Sequence, residues 1–333
     1  MNRYSTPVVF EKHHLERIDF NSKLMFVGSC FAENIGSKFK QMKFSSVINP
    51  YGVVYNPLSL ATGIDRIILK KEVRESDLFL QNGLYKSFDF HSQYSYASAE
   101  ESLEAMNNSI ANAHEQLKSA HKLFITFGTS WVYQLVETGA IVTNCHKHNS
   151  NIFLRKRLTV SKIVSIWNEL LIKLTEFNPK LKIIFTVSPI RHWKDGAHGN
   201  QLSKSVLLLA IDELLQSNAH CHYFPAYEIV MDELRDYRFY ADDMLHLSEV
   251  AIAHIWEKVQ REFIADCCYE EIRKIIKLNN ALHHRPLNTD SSELQKFAST
   301  QLALIEELEL KQSTLDFSIE KQHFNKIITN QLD

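Results

Sequence analysis

The chain has 333 residues, with 37 Lys plus Arg against 39 Asp plus Glu and a formal net charge of −2. A balance so close to neutral gives no electrostatic footprint for nucleic acid or an anionic membrane, and no apolar run reaches the length of a membrane span. Five scattered cysteines without CxxC or zinc-ribbon spacing fit reduced thiols in a cytoplasm, not a disulfide framework or a structural zinc site.

In chain order, the N-terminus lacks a long apolar stretch, so no secretory signal is expected. The first predicted element is a buried strand, Leu24-Met25-Phe26-Val27, apolar on both faces. It stops at Gly28-Ser29-Cys30, and Ala32, Ile35, Gly36 and Phe39 follow at helical spacing. Strand, small-residue turn and helix lift a side chain clear of the carboxyl edge of a parallel sheet, where ligands bind in open α/β folds. Ser29 stands where a nucleophile would stand. On these residues alone, a βα turn with Ser29 capping the helix is the better reading.

Phe44–Ile48 is a second strand. Asn49-Pro50-Tyr51-Gly52 and Asn56-Pro57 then make a rigid double turn near the Ser29 element. A helix over 58–70 follows, and Leu78–Phe90 is a hairpin turning at Asn82-Gly83. Next come a helix over 100–118, a buried strand over 122–127 ending at Gly128-Thr129-Ser130, and a second hairpin turning at Thr138-Gly139. The remaining core elements are a helix over 159–177, a strand over 182–187, a helix over 203–217, a short strand over 222–224 and a helix from Ser248. Five strands with helices between them predict a doubly wound, mainly parallel sheet, with the hairpins inserted at the site end. The domain spans 1–284. The polar tail 285–333 is an appendage with one helix, 291–310, and no clear core pattern after it.

Asp243-Met244-Leu245-His246 is the second informative stretch. A carboxylate and an imidazole three residues apart, in a turn entering a helix, let Asp243 take the His246 Nδ1 proton and leave Nε2 as a base. By itself DxxH is common, and a loop aspartate beside a helix-start histidine accounts for it equally. Gly28-Ser29-Cys30-Phe31-Ala32 spells the signature of the GSCFA family, whose members resemble SGNH (GDSL-like) hydrolases. NPYGVVYNP (49–57), SFDFHS (87–92), FGTSWVY (127–133), TNCHK (143–147), TVSPIRH (186–192) and YADDMLH (240–246) resemble the same family, over residues 22–265.

The resemblance implies a three-layer α/β/α sandwich with a five-stranded sheet of the flavodoxin-like, SGNH-hydrolase type. It puts the nucleophile on Ser29, the DxxH block on Asp243 and His246, and no cofactor. The Ser29 N–H and Gly52 would hold the oxyanion. Where the family pattern wants GxND after the third strand, this chain reads Gly128-Thr129-Ser130, so Gly128 and Ser130, or Asn49 or Asn144, would replace the usual asparagine. Loss of one such donor typically costs ~10²–10³ in rate.

His91, His146, His148, His192 and His198 fall in loops expected to rim the site, beside Lys147 and Arg191. Without HxxxH or HExxH spacing, and with only Asp89 as a nearby carboxylate, substrate recognition is expected in place of metal ligation. Asn49, His91, Asn144, His146, Arg191 and His192 are the candidate binding residues, Arg191 suiting a carboxylate or phosphate. Trp131, Tyr133 and Trp193 suit a sugar face or serve as buried wall. The expected function is hydrolysis of a small or carbohydrate O-acyl ester. Acyl transfer to a glycan, or ligand binding on a scaffold with an incomplete oxyanion hole, are the alternatives. Cys30 is a lesser candidate nucleophile, because its side chain should pack inward.

Overall fold

The computed structural model describes residues 6–10, 15–283 and 291–329. Its strands are β1 (Lys23–Gly28), β2 (Ser45–Ile48), β3 (Phe79–Gln81), β4 (Leu84–Lys86), β5 (Lys122–Phe127), β6 (Trp131–Leu135), β7 (Ile141–Val142), β8 (Phe153–Arg157), β9 (Lys182–Val187) and β10 (Cys221–Tyr223). Its helices are α1 (Cys30–Gln41), α2 (Pro57–Leu69), α3 (Ala99–Ser119), α4 (Val160–Phe177), α5 (Gly196–Ser217), α6 (Ala226–Glu228), α7 (Glu249–Phe263), α8 (Tyr269–His283), α9 (Ser291–Lys311) and α10 (Ser318–Ile328). No described helix is long and apolar enough to cross a membrane.

The chain divides into two compact units. The first, built on Lys23–Ser37 and Ser46–Lys258, holds the five-stranded parallel sheet in the order β10-β9-β5-β1-β2. Counting only these strands, that is the 2-1-3-4-5 order of doubly wound folds, whose switch point lies between the first and third strands. Here those strands are β1 and β5, paired in register from Leu24 with Lys122 to Gly28 with Thr126. Alternation sorts the side chains into two layers. Met25, Val27, Leu123, Ile125, Ile183 and Phe185 enter a core shared with residues of α2, α3, α4 and α5. Phe26 and Phe124 point the other way and stack at 4.7 Å. On that face α1 approaches so closely that a Cβ on Gly36 would lie 3.1 Å from the Phe26 ring. Each large apolar side chain so buried contributes about 1.5–3 kcal/mol.

The structure adds to the expected pattern in two places, one insertion and one core helix. β3 and β4 form the expected hairpin at Asn82-Gly83. The second hairpin is present as β6 and β7, and a further strand on β6 extends it to a three-stranded sheet, β7-β6-β8. FLRKR carries no apolar strand pattern because it is mostly exposed and charged, the composition of a protected edge. Helix α5 also begins at Gly196, seven residues before the expected Ser203. Its first turns, GAHGNQ, have poor intrinsic propensity. Buried polar contacts of Asn200 and Ser203, described below, compensate.

The second unit takes Leu15–Ser22, Lys38–Ser45 and the chain from Val259 onward. The Ile18 N–H donates to the Phe263 carbonyl at 2.6 Å, and the Phe20 and Phe44 rings stack at 4.8 Å. The expected 284/285 boundary falls outside the described residues. After residue 310 there is a core after all: Phe317 and Phe324 are fully buried, and Lys43 pairs with Glu320 at 2.6 Å. That core was hidden because α10 presents few apolar residues and needs partners distant in sequence.

Candidate active site

The turn after β1 is built by steric exclusion. Gly28 has φ +140°, and a Cβ on it would sit 2.4 Å from the Thr126 carbonyl oxygen. Only glycine fits both demands. The Gly28 N–H donates to Asn49 Oδ1 at 2.9 Å, which pins the end of β1 to the following loop. Ser29 comes next, 1% exposed, and its Oγ accepts from the Phe31 N–H at 3.3 Å. The hydroxyl therefore has the helix-start contact of the plainer reading. Its residue also lines a cleft of 700 Å³ at the carboxyl edge of the sheet.

His246 lines that same cleft. Its turn closes on itself: the Ala241 N–H donates to the His246 carbonyl at 2.8 Å and the Met244 N–H to the Ala241 carbonyl at 2.9 Å. Met244 takes the left-handed conformation, φ +58°. Asp243 Oδ1 accepts from the Leu245 and His246 N–H groups, both at 2.9 Å, while Oδ2 receives His246 Nδ1 at 2.5 Å. The His246 contact, then these backbone donors, hold the Asp243 carboxyl down at about 2, so it is ionised at neutral pH. Among the described residues nothing bonds His246 Nε2, which leaves that nitrogen able to accept a proton.

Three of the expected oxyanion donors are engaged elsewhere. Gly52 has φ +79° and a Cβ on it would lie 2.1 Å from the His91 Cβ, so glycine is needed for packing. Its N–H, however, donates to the Asn49 carbonyl at 2.7 Å. The Gly128 N–H donates to the Tyr55 carbonyl at 2.8 Å. Ser130 is fully buried and its hydroxyl donates to Ser203 Oγ at 3.0 Å. The double turn nevertheless offers another group. Val53 lines the cleft, and no described residue accepts from its N–H. No side-chain pattern marks a backbone donor, so the sequence carried no signal for it.

Of the expected binding residues, His91, Asn144, Arg191 and His192 line the cleft with Ser29. Two do not. Asn49 is buried with its carbonyl oxygen on Gly28. His146 is buried with Nε2 2.7 Å from the Ser87 carbonyl and Nδ1 3.3 Å from Ser92 Oγ, so it braces a loop. Burial pushes His146 below the ordinary imidazole value, and His192 further, to about 4. His148, Lys147, Trp131, Tyr133 and Trp193 share the cleft, whereas His198 is exposed on α5 and Asp89 pairs with Arg66 at 2.6 Å. No three metal-binding side chains converge among the described residues.

The β6–β8 wall carries a pair that sequence alone did not reveal. Arg155 bonds Asp195 and lies over the Trp131 ring at 4.3 Å. A second unforeseen residue is Lys204, fully buried on α5. Its Nζ donates to the Gly128 carbonyl at 2.7 Å and the Ser188 carbonyl at 2.6 Å, tying together the loops that follow β5 and β9. Burial pulls its ammonium down to about 7. Nearby, Ser203 Oγ accepts from the Ser130 N–H at 2.8 Å, and Asn200 Oδ1 from the His192 N–H at 3.0 Å. A signal for Lys204 existed: it falls on the stripe of Leu207, Ile211 and Leu214, where a lysine is out of place.

A family model described as GSCFA family matches residues 23–259, and one described as GSCFA domain protein, C-terminal domain, matches residues 275–330. No curated protein matches the chain.

Proposed function

The chain belongs to the GSCFA family, and from that premise and the geometry of the Ser29 cleft we propose that it is a serine-dependent ester hydrolase of SGNH type. One observation carries the reading: Ser29 and His246 line one cleft, and His246 has its Nδ1 on the ionised Asp243. In the substrate complex His246 Nε2 takes the Ser29 proton as Oγ attacks the acyl carbon. The Ser29 and Val53 N–H groups receive the negative oxygen, and Asp243 holds the imidazole in the required tautomer. The tetrahedral adduct collapses, the alcohol leaves with the proton from His246, and water repeats the sequence on the acyl-enzyme. A small or carbohydrate O-acyl ester suits a cleft rimmed by aromatic and polar side chains. Five free thiols support a reducing, cytoplasmic compartment.

A specific observation favours a second reading. The Gly52, Gly128 and Ser130 donors are all engaged, as in a scaffold that binds a ligand without reacting with it. Hydrolysis of a short-chain acyl ester panel by wild type, Ser29→Ala and His246→Ala separates the two. Turnover by wild type that falls to background in both variants supports the hydrolase. Identical behaviour of all three proteins rejects it in favour of the ligand pocket.

A further inference from the structure

Charge in the cleft is unevenly compensated. Four cationic side chains line it, Lys147, Arg155, Arg191 and Lys194, against a single carboxylate, Asp195. Arg155 consumes that carboxylate. Lys194 donates to the Tyr133 hydroxyl at 2.9 Å. Arg191 is half-buried, and its nearest described polar contact is Met231 Sδ, 4.0 Å from Nη2. Among the described residues no carboxylate pairs with it.

Arg191 also stands at a junction. A second cavity of 590 Å³ shares Arg191, Trp193 and Leu245 with the cleft and is walled by Val230, Met231 and Leu234. The acids on that side are committed: Asp243 to His246, and Asp236 to Arg238 at 3.7 Å. The other arginine there, Arg235, is bonded to Asp232 at 2.8 Å. Both other arginines lining the two cavities thus have a carboxylate partner, and among the described residues the one between them has none. A guanidinium partly withdrawn from water recovers its lost hydration by bidentate bonding to a carboxylate or phosphate.

We propose that the ester taken by the Ser29 cleft is anionic and that Arg191 pairs with its carboxylate or phosphate group. The inference rests on the hydrolase reading for its chemistry, and the charge selection stands on geometry alone. Arg191 then sets specificity. It holds the anionic group at the mouth between the two cavities while the acyl carbon lies at Ser29.

The test has a binding arm and a kinetic arm. In Ser29→Ala, glucuronate, glucose 6-phosphate and glucose are titrated calorimetrically, with and without Arg191→Gln. Either anion is expected to bind at least about tenfold tighter than glucose. The preference should vanish in Arg191→Gln, survive in part in Arg191→Lys, and weaken with added salt. Selection of only one anion identifies the group. Equal binding of all three sugars, binding of neither anion, or a preference that persists in a folded Arg191→Gln overturns the proposal. In the kinetic arm, acetylated glucuronate and acetylated glucose are compared with the wild-type protein. Charge-selective binding without turnover would keep the anion site and remove the hydrolase. Ser29-dependent turnover without charge preference would do the reverse.

Discussion

Asp243→Asn tests the chemistry with little change in shape. In the native turn Asp243 Oδ1 accepts from two backbone N–H groups and Oδ2 from His246 Nδ1. Asparagine keeps an oxygen for the backbone donors, so the loop should survive. Its amide, however, presents N–H groups to His246 Nδ1 where the carboxylate presented a lone pair. The imidazole must then carry its proton on Nε2, the wrong nitrogen for accepting one from Ser29. In serine triads that inversion costs about 10⁴ in kcat, and the same loss is expected here with KM nearly unchanged. The assay is kcat and KM on an ester whose hydrolysis depends on Ser29, paired with ¹⁵N chemical shifts of the imidazole to read the tautomer. A variant within about tenfold of wild type would refute the assignment, because a tautomer-setting partner cannot be lost so cheaply. The sign of the pH effect is fixed as well. Asp243 is depressed to about 2, so what it contributes is present above the ordinary carboxylate range and lost only as pH falls toward 2. Any fall in activity between pH 4 and 7 must come from another group.

His192 is held neutral down to about 4 by burial. The unfolded chain therefore binds more protons between pH 6.5 and 4, and stability falls as pH drops through that window, by up to about 1.4 kcal/mol per pH unit. His192→Asn should flatten that slope in urea titrations at several pH values. Gly52→Ala, which drives a Cβ to 2.1 Å from His91 in a left-handed conformation, should cost about 2–4 kcal/mol. Gly83→Ala has the same backbone problem at φ +74° but nothing within 4 Å, and should cost about 1 kcal/mol in the same denaturation assay. His146→Ala should lower stability by about 1–3 kcal/mol through the unpartnered Ser87 carbonyl while leaving KM unchanged, which kinetics on the folded variant will check.

The parts of this molecule that repeat a simple physical pattern were readable from its sequence. β1, β5 and β9 are short continuous apolar runs, and a buried parallel strand has no other way to be written. The DxxH turn was readable for the same reason, since three residues suffice to bring a carboxylate under an imidazole. The proposed oxyanion donors were not. Gly52 and Gly128 lack side chains because a Cβ would collide with His91 and approach Tyr55, and a glycine kept for packing looks the same in sequence as one kept for its N–H. Val53 shows the converse, an N–H from which no described residue accepts, behind a side chain that advertises nothing. His146 and Asn49 failed as ligand-binding residues because polarity in a loop does not reveal which way the atoms face: His146 Nε2 contacts the Ser87 carbonyl and Asn49 Oδ1 accepts from the Gly28 N–H. Lys204 makes the distinction sharpest. On an amphipathic stripe a lysine reads as an error in the helix, and only the fold shows two carbonyls converging on its ammonium from loops about 60 residues apart in sequence. Buried polar groups must be satisfied, so a misplaced charge on an apolar stripe is itself evidence that loops from elsewhere meet there. In this chain one of those loops, at Ser188, lines the same cleft as the proposed nucleophile.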